Sequence, residues 1–117
     1  MNELAIGQRW VSDSESELGL GMIIEVDRRL VSVSFPASEE TRTYAINNAP
    51  LSRVQFSVGD TIECSDGTQL TVTKVESVDG LLFYQGSKTD GSVTKIDELS
   101  LNAFTTINKN LFILISN

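Results

Sequence analysis

A chain of 117 residues allows one domain or two very small ones, and 40% apolar with 21% charged residues is ordinary folded composition rather than that of a disordered segment. The formal net charge of −7 argues against a protein whose affinity comes mainly from neutralising phosphates. Without histidine and with Cys64 as the one cysteine, neither an intramolecular disulfide nor any usual Cys/His metal site can form, and no cofactor is expected.

Gln8 to Val11 is a short β-prone run that Gly7 can start from a backbone conformation other residues resist. Ser12 to Glu17 is polar and acidic. A capping box could open a helix there, but Gly19 and Gly21 cut it off at once, so a long loop is expected. Met22 to Val26 and Leu30 to Phe35 flank Asp27-Arg28-Arg29, the pattern of two strands joined by a tight connection. Val31, Val33 and Phe35 alternate with Ser32 and Ser34 and so share a core-facing side. Pro36 ends the ladder because it has no N–H to donate, and Ala37 to Glu40 reads as a turn. In the next strand, Thr41 to Ala45, Arg42 and Tyr44 share one face; Asn47 to Pro50 is a turn cluster, and Pro50 to Phe56 a last short strand or one turn of tight helix.

The pattern then restarts. Gly59-Asp-Thr-Ile62 has the form of Gly7-Gln-Arg-Trp10, and the two glycines lie 52 residues apart. Leu70 to Val75 matches Met22 to Val26, and Gly80 to Tyr84 matches Leu30 to Phe35. Asp66-Gly67 and Asp79-Gly80 are hairpin signals, Gly86 to Gly91 reads as a turn, and Val93 to Ile96 as a strand. The expected fold is all-β: two tandem, small, strongly bent antiparallel barrels, residues 1–57 and 58–117, with the apolar run Leu111 to Ile115 in a C-terminal tail. Two units this small would be expected to lean on each other.

No catalytic constellation emerges. Gly19-Leu20-Gly21 lacks the third glycine and helix of a dinucleotide loop, and no histidine exists for a nucleophilic triad. Asp13, Glu15 and Glu17 alternate as in a calcium loop, but Leu18 and Ile24 stand where the glycine and glutamate should be. Trp10, Phe35 and Tyr44 could form an aromatic corner for a methylated cation; the plainer reading is a core Phe35 and a half-buried Trp10. All five arginines fall before residue 58 and all four lysines after it. Guanidinium groups suited to bidentate recognition are thus confined to the first unit.

Taken in order, Leu4 to Trp10, Glu17-Leu-Gly-Leu-Gly21, Phe35-Pro36, Glu40 to Ala45, Ala49 to Phe56, Val58-Gly-Asp60, Gly80-Leu-Leu82 and Tyr84-Gln-Gly86 resemble the amino-terminal region of the bacterial RapA (HepA) family, over about Leu4 to Phe112. The resemblance implies two Tudor-like (Src-homology-three-like) bent sheets from a Swi/Snf-type helicase-like ATPase that associates with RNA polymerase and helps recycle it after transcription. The region's implied roles are contact with core RNA polymerase and restraint of the protein's own ATPase domains. The ATPase motifs are absent from this chain, so no enzymatic activity is carried over.

The leading expectation is a non-catalytic, cytoplasmic module docking on polymerase through an arginine-bearing face: Arg9, Trp10, Arg28, Arg29, Arg42 and Arg53. The alternative is nucleic-acid binding near the RNA exit region with the same arginines on phosphate, against which the net charge weighs. No stretch approaches the roughly 20 apolar residues that span a bilayer, so no membrane partner is expected.

Overall fold

The computed structural model describes residues 4–102, so the Leu111 to Ile115 run lies outside the described residues. The first half contributes β1 (Arg9–Ser12), β2 (Gly21–Val26), β3 (Leu30–Phe35), β4 (Glu40–Ala45) and β5 (Leu51–Arg53) to an antiparallel sheet of order β4-β3-β2-β1-β5. Val31, Val33 and Phe35 are fully buried on its inner face while Ser32 and Ser34 stay half-buried on the other, as the alternation demands. Gly21 is needed where β2 crosses them: a Cβ there would lie 2.6 Å from Val33 Cγ1. The acidic loop holds a single 3-10 turn, Ser16–Leu18, and Ser12 Oγ accepts the Glu15 N–H at 2.9 Å just before it.

The second half forms β6 (Thr61–Glu63), β7 (Gln69–Val78), β8 (Leu81–Ser87) and β9 (Val93–Asp97) in the order β6-β7-β8-β9, with Leu101 bridging to Cys64 beside β6. β7 and β8 run further than the sequence pattern indicates. Gly86 belongs to β8 and is not part of the expected turn, because a bulge between Val72 and Lys74 brings β7 so close that a Cβ on Gly86 would sit 2.7 Å from the Thr71 carbonyl oxygen.

The two halves repeat one another bond for bond. The Gly7 N–H donates to the Ile23 carbonyl (2.9 Å) and the Ile23 N–H to Gln8 (3.0 Å); the Gly59 N–H donates to Val72 (2.8 Å) and the Val72 N–H to Asp60 (2.8 Å). Both glycines have φ near +100°, at 99° and 98°, which explains their shared place in the sequence repeat. Both sheets carry a bulge after the residue so held, Ile23 or Val72. The Asp13 N–H bonds to Pro50 as the Ser65 N–H bonds to Ser100, each at 2.7 Å. The copies differ in the hairpin beyond the bulge: two residues of β2 remain paired there, Glu25 and Val26, against five of β7, Lys74 to Val78.

One buried cluster belongs to the first sheet: Trp10, Leu18, Ile23, Val31, Val33, Phe35 and Leu51. The other spans both sheets, joining Val11, Leu20, Val54 and Phe56 to Ile62, Leu70, Val72, Leu82, Tyr84 and Leu101. Phe56 and Tyr84 meet edge to face with ring centres 6.0 Å apart, and the Phe56 N–H donates to the Tyr84 hydroxyl at 3.1 Å. A unit of about 60 residues buries too little surface to be robust alone, and here each half completes the other's interior.

Candidate functional site

The longer β7–β8 hairpin is the arm by which the second sheet grips the first. Its turn, Asp79-Gly80, needs positive φ at both residues (52° and 85°) and presents the Gly80 carbonyl to the Gln8 side-chain amide at 2.8 Å. At the base of the arm lies Glu98, in the 3-10 turn Glu98–Ser100 after β9, fully buried. Its carboxylate accepts from the Arg9 backbone N–H (2.9 Å), from the Leu82 N–H (2.6 Å) and from both Nη atoms of Arg53, with Nη2 at 2.7 Å. Two-pronged binding of this kind suits arginine and not lysine.

Arg9 answers from the other side. Its side chain, 3% exposed with the rest of the residue, donates through Nε to the Gly21 carbonyl (3.0 Å) and through Nη1 to the carbonyls of Glu98, Leu99 and Leu101 (3.1, 3.4 and 3.3 Å). Burial pulls the Arg9 guanidinium down to about 10, with nearby Glu98 acting the other way. Trp10 is more deeply buried than the half-exposed position the sequence suggests, at 7% exposed, and its indole N–H donates to the Gln8 side-chain oxygen at 3.0 Å. The Arg53 guanidinium lies 5.8 Å from the Trp10 ring centre. Beside these groups a cleft of about 480 Å³ stays open between Arg53 and Gln55 on one wall and Val75 to Ser77 on the other.

The six residues singled out in the sequence therefore separate. Arg9, Trp10 and Arg53 come together at the junction of the sheets, with their polar groups engaged inside the chain. Arg42 lies on β4 between Glu15 (3.3 Å) and Glu40 (2.8 Å), and these carboxylates, Glu40 foremost, hold its guanidinium above the ordinary range. Arg28 and Arg29 stand exposed at the β2–β3 turn, and among the described residues neither side chain meets an acid. Their backbone is firmly set: Asp27 Oδ1 accepts the N–H groups of Arg29 (2.8 Å) and Leu30 (2.7 Å), which depresses the Asp27 carboxyl, and the Arg29 carbonyl accepts the Ile46 N–H at 2.8 Å. Leu30 follows, 45% exposed, and residues 27–30 line a shallow cleft of about 510 Å³.

Phe35 is inaccessible and Trp10 nearly so, which leaves no open aromatic corner with Tyr44. Glu98, the residue on which the junction turns, has no distinguishing mark in the sequence: it is one of eight acids after residue 57, in a polar turn. The one available signal was the arginines themselves, because a buried guanidinium needs a carboxylate somewhere.

Comparison with known proteins fits this architecture. Residues 4–54 match the family model described as RapA N-terminal Tudor like domain 1, and residues 56–111 the model described as RapA N-terminal Tudor like domain. The chain belongs to the RapA N-terminal Tudor-like family. RNA polymerase-associated proteins RapA from Pseudomonas fluorescens and Pseudomonas savastanoi are 49% and 50% identical to it over 98 residues, 84% of this chain. The RapA of Vibrio atlanticus is 51% identical over 92 residues, 79% of the chain. The chain spans 10% of the length of each of these relatives, and its matches are to the RapA Tudor-like domains alone. In these RapA domains the Glu98 junction ties the domain matched at 4–54 to the one matched at 56–111. No helix among the described residues is long and apolar enough to cross a membrane.

Proposed function

We propose that the chain is the non-catalytic docking module of a longer RapA-type protein, made of a first unit at residues 1–57 and a second at 58–117, and that it binds core RNA polymerase through the Arg28-Arg29 turn. The observation that carries the reading is the contrast between two equivalent hairpins. The Asp79-Gly80 turn is itself a docking element, seated on Gln8 and Arg53, whereas the Asp27-Arg28-Arg29 turn has the same place in its own sheet and its arginine side chains stand exposed, without such a seat among the described residues. Two acid-free guanidinium groups beside a half-exposed leucine, on a backbone held by Asp27, form the kind of preorganised anchor on which interfaces concentrate their energy. Arg9, Trp10 and Arg53 hold the junction of the two sheets instead of making contact, and Arg42 is already neutralised by two acids. Restraint of the protein's own ATPase domains, implied by the sequence resemblance, and a cytoplasmic location, in keeping with relatives named RNA polymerase-associated, belong to the same reading.

Labelled chain titrated with core polymerase tests it. Arg28→Ala/Arg29→Ala should weaken binding about tenfold or more. No binding by the natural chain would end the docking role, while equal binding by the variant would end only the arginine assignment. RNA in place of polymerase, with affinity falling steeply as salt rises, would favour the nucleic-acid alternative. For the restraint, deleting residues 1–107 from the full-length protein should raise ATP turnover, and unchanged turnover would remove it from the account.

A further inference from the structure

We infer that Glu98 is a lock that makes the two Tudor-like domains one cooperative body, so that neither reorients nor opens independently of the other. The carboxylate comes from the second domain, and three of its four hydrogen bonds come from the first: the Arg9 N–H and the two Arg53 donors. The fourth, from Leu82, ties the same oxygen pair to the β7–β8 arm. Arg9 crosses in the opposite direction to three carbonyls of the second domain. Arg53 also donates to the Gly80 carbonyl at the arm's turn, at 3.3 Å, so one side chain holds both the lock and the arm.

The chemistry makes this arrangement all-or-none. A fully buried carboxylate and a buried guanidinium are each tolerated only while their partners are present. Swinging one domain away would strand Glu98 without Arg53 and Arg9 without three acceptors in a single step. The apolar cluster shared by both sheets would open in the same movement. A sliding or hinged junction would instead exchange partners gradually; in this one the carboxylate is fully buried and two of its four donors are fixed backbone N–H groups.

Native-state hydrogen exchange on the whole chain tests the lock, using Val33→Ala as a distant perturbation. Val33 belongs to the cluster confined to the first sheet. With the lock intact, this cavity should lower protection of the slowest amides of β7 and β8 by the same factor as those of β3. In chains that also carry Glu98→Gln, or Arg53→Lys, which keeps the charge and loses the fork, the loss should stay within the first sheet. Glu98→Gln alone should reduce protection of the Leu82 amide by roughly a hundredfold or more. A Val33→Ala effect confined to the first sheet in the otherwise natural chain would overturn the inference, even if Glu98→Gln proved unable to fold. So would transmission that persists unchanged in both lock variants.

Discussion

Replacing Glu98 by glutamine keeps the shape of the side chain and removes its charge, which makes it the sharpest perturbation of the junction. In the natural chain both carboxylate oxygens accept: Oε1 from Arg9 and Arg53, Oε2 from Leu82 and Arg53. A glutamine offers one oxygen and one NH2, so whichever way it turns a donor faces a donor, leaving a buried N–H unpaired at about 1–3 kcal/mol. Arg53 loses its counter-charge as well; its side chain is 23% exposed, so water compensates in part. Removing one partner of a buried pair costs about 3–5 kcal/mol, and partial exposure of Arg53 places the expected loss near the lower end, about 3 kcal/mol in all. For a chain of 117 residues the unfolding entropy is about 0.25 kcal/mol/K, so the melting temperature should fall by about 12 °C. Urea unfolding followed by Trp10 fluorescence should show a lower midpoint and a shallower slope, because the two sheets no longer unfold as one body. A loss of only a few tenths of a kcal/mol, the size expected of an exposed surface pair, would refute the claim that this carboxylate is buried and fully bonded.

Arg28→Ala/Arg29→Ala should leave the melting temperature within a degree or two of the natural chain, about the effect of ordinary surface substitutions, while weakening polymerase association; a large thermal shift would mean the arginines are structural. Burial pushes the Tyr84 phenol from 10 up to about 12, so the unfolded chain loses this proton first and stability should fall as pH rises from 10 to 12, by about 3 kcal/mol at most. Buried Arg9, lowered to about 10, acts with the opposite sign above that pH, so the comparison to make is between the natural chain and Tyr84→Phe. The variant should be less stable at neutral pH, because the Phe56 N–H loses its acceptor, and should show a flatter alkaline decline in urea midpoints. Gly86→Ala should separate β7 from β8 and destabilise by about 1–3 kcal/mol or more, since its Cβ would strike a backbone oxygen; an unchanged unfolding midpoint would contradict the close approach.

The fold was legible wherever residue type acts locally. Alternation in Leu30–Phe35, the stop at Pro36 and the recurrence of Gly7 at Gly59 each follow from one strand or one turn, and the reading of two small antiparallel β units rests on them, the Tudor-like name coming from the family resemblance. Strand lengths in the second half were harder to read. Glu76, Ser77 and Val78 lie past the expected strand, yet they pair with β8 on the longer arm; Gly86 looks like a turn, yet close strand approach is what requires it. The candidate site was the least legible. Arg9 and Arg53 look like surface cations until Glu98, 89 and 45 positions away from them, comes between them. No local pattern encodes that meeting. It comes from the packing of one sheet on the other across the shared apolar cluster. Arg28 and Arg29, by contrast, stayed where the tight connection between two strands placed them.

The most direct test of the docking account is site-specific photo-crosslinking of the chain to core RNA polymerase, with the reactive side chain introduced in turn at Arg29, Leu30 and Trp10. The account expects polymerase adducts from Arg29 and Leu30 and none from Trp10, which is sealed in the junction. Adducts from Trp10 with none from the Arg28–Leu30 turn would contradict it.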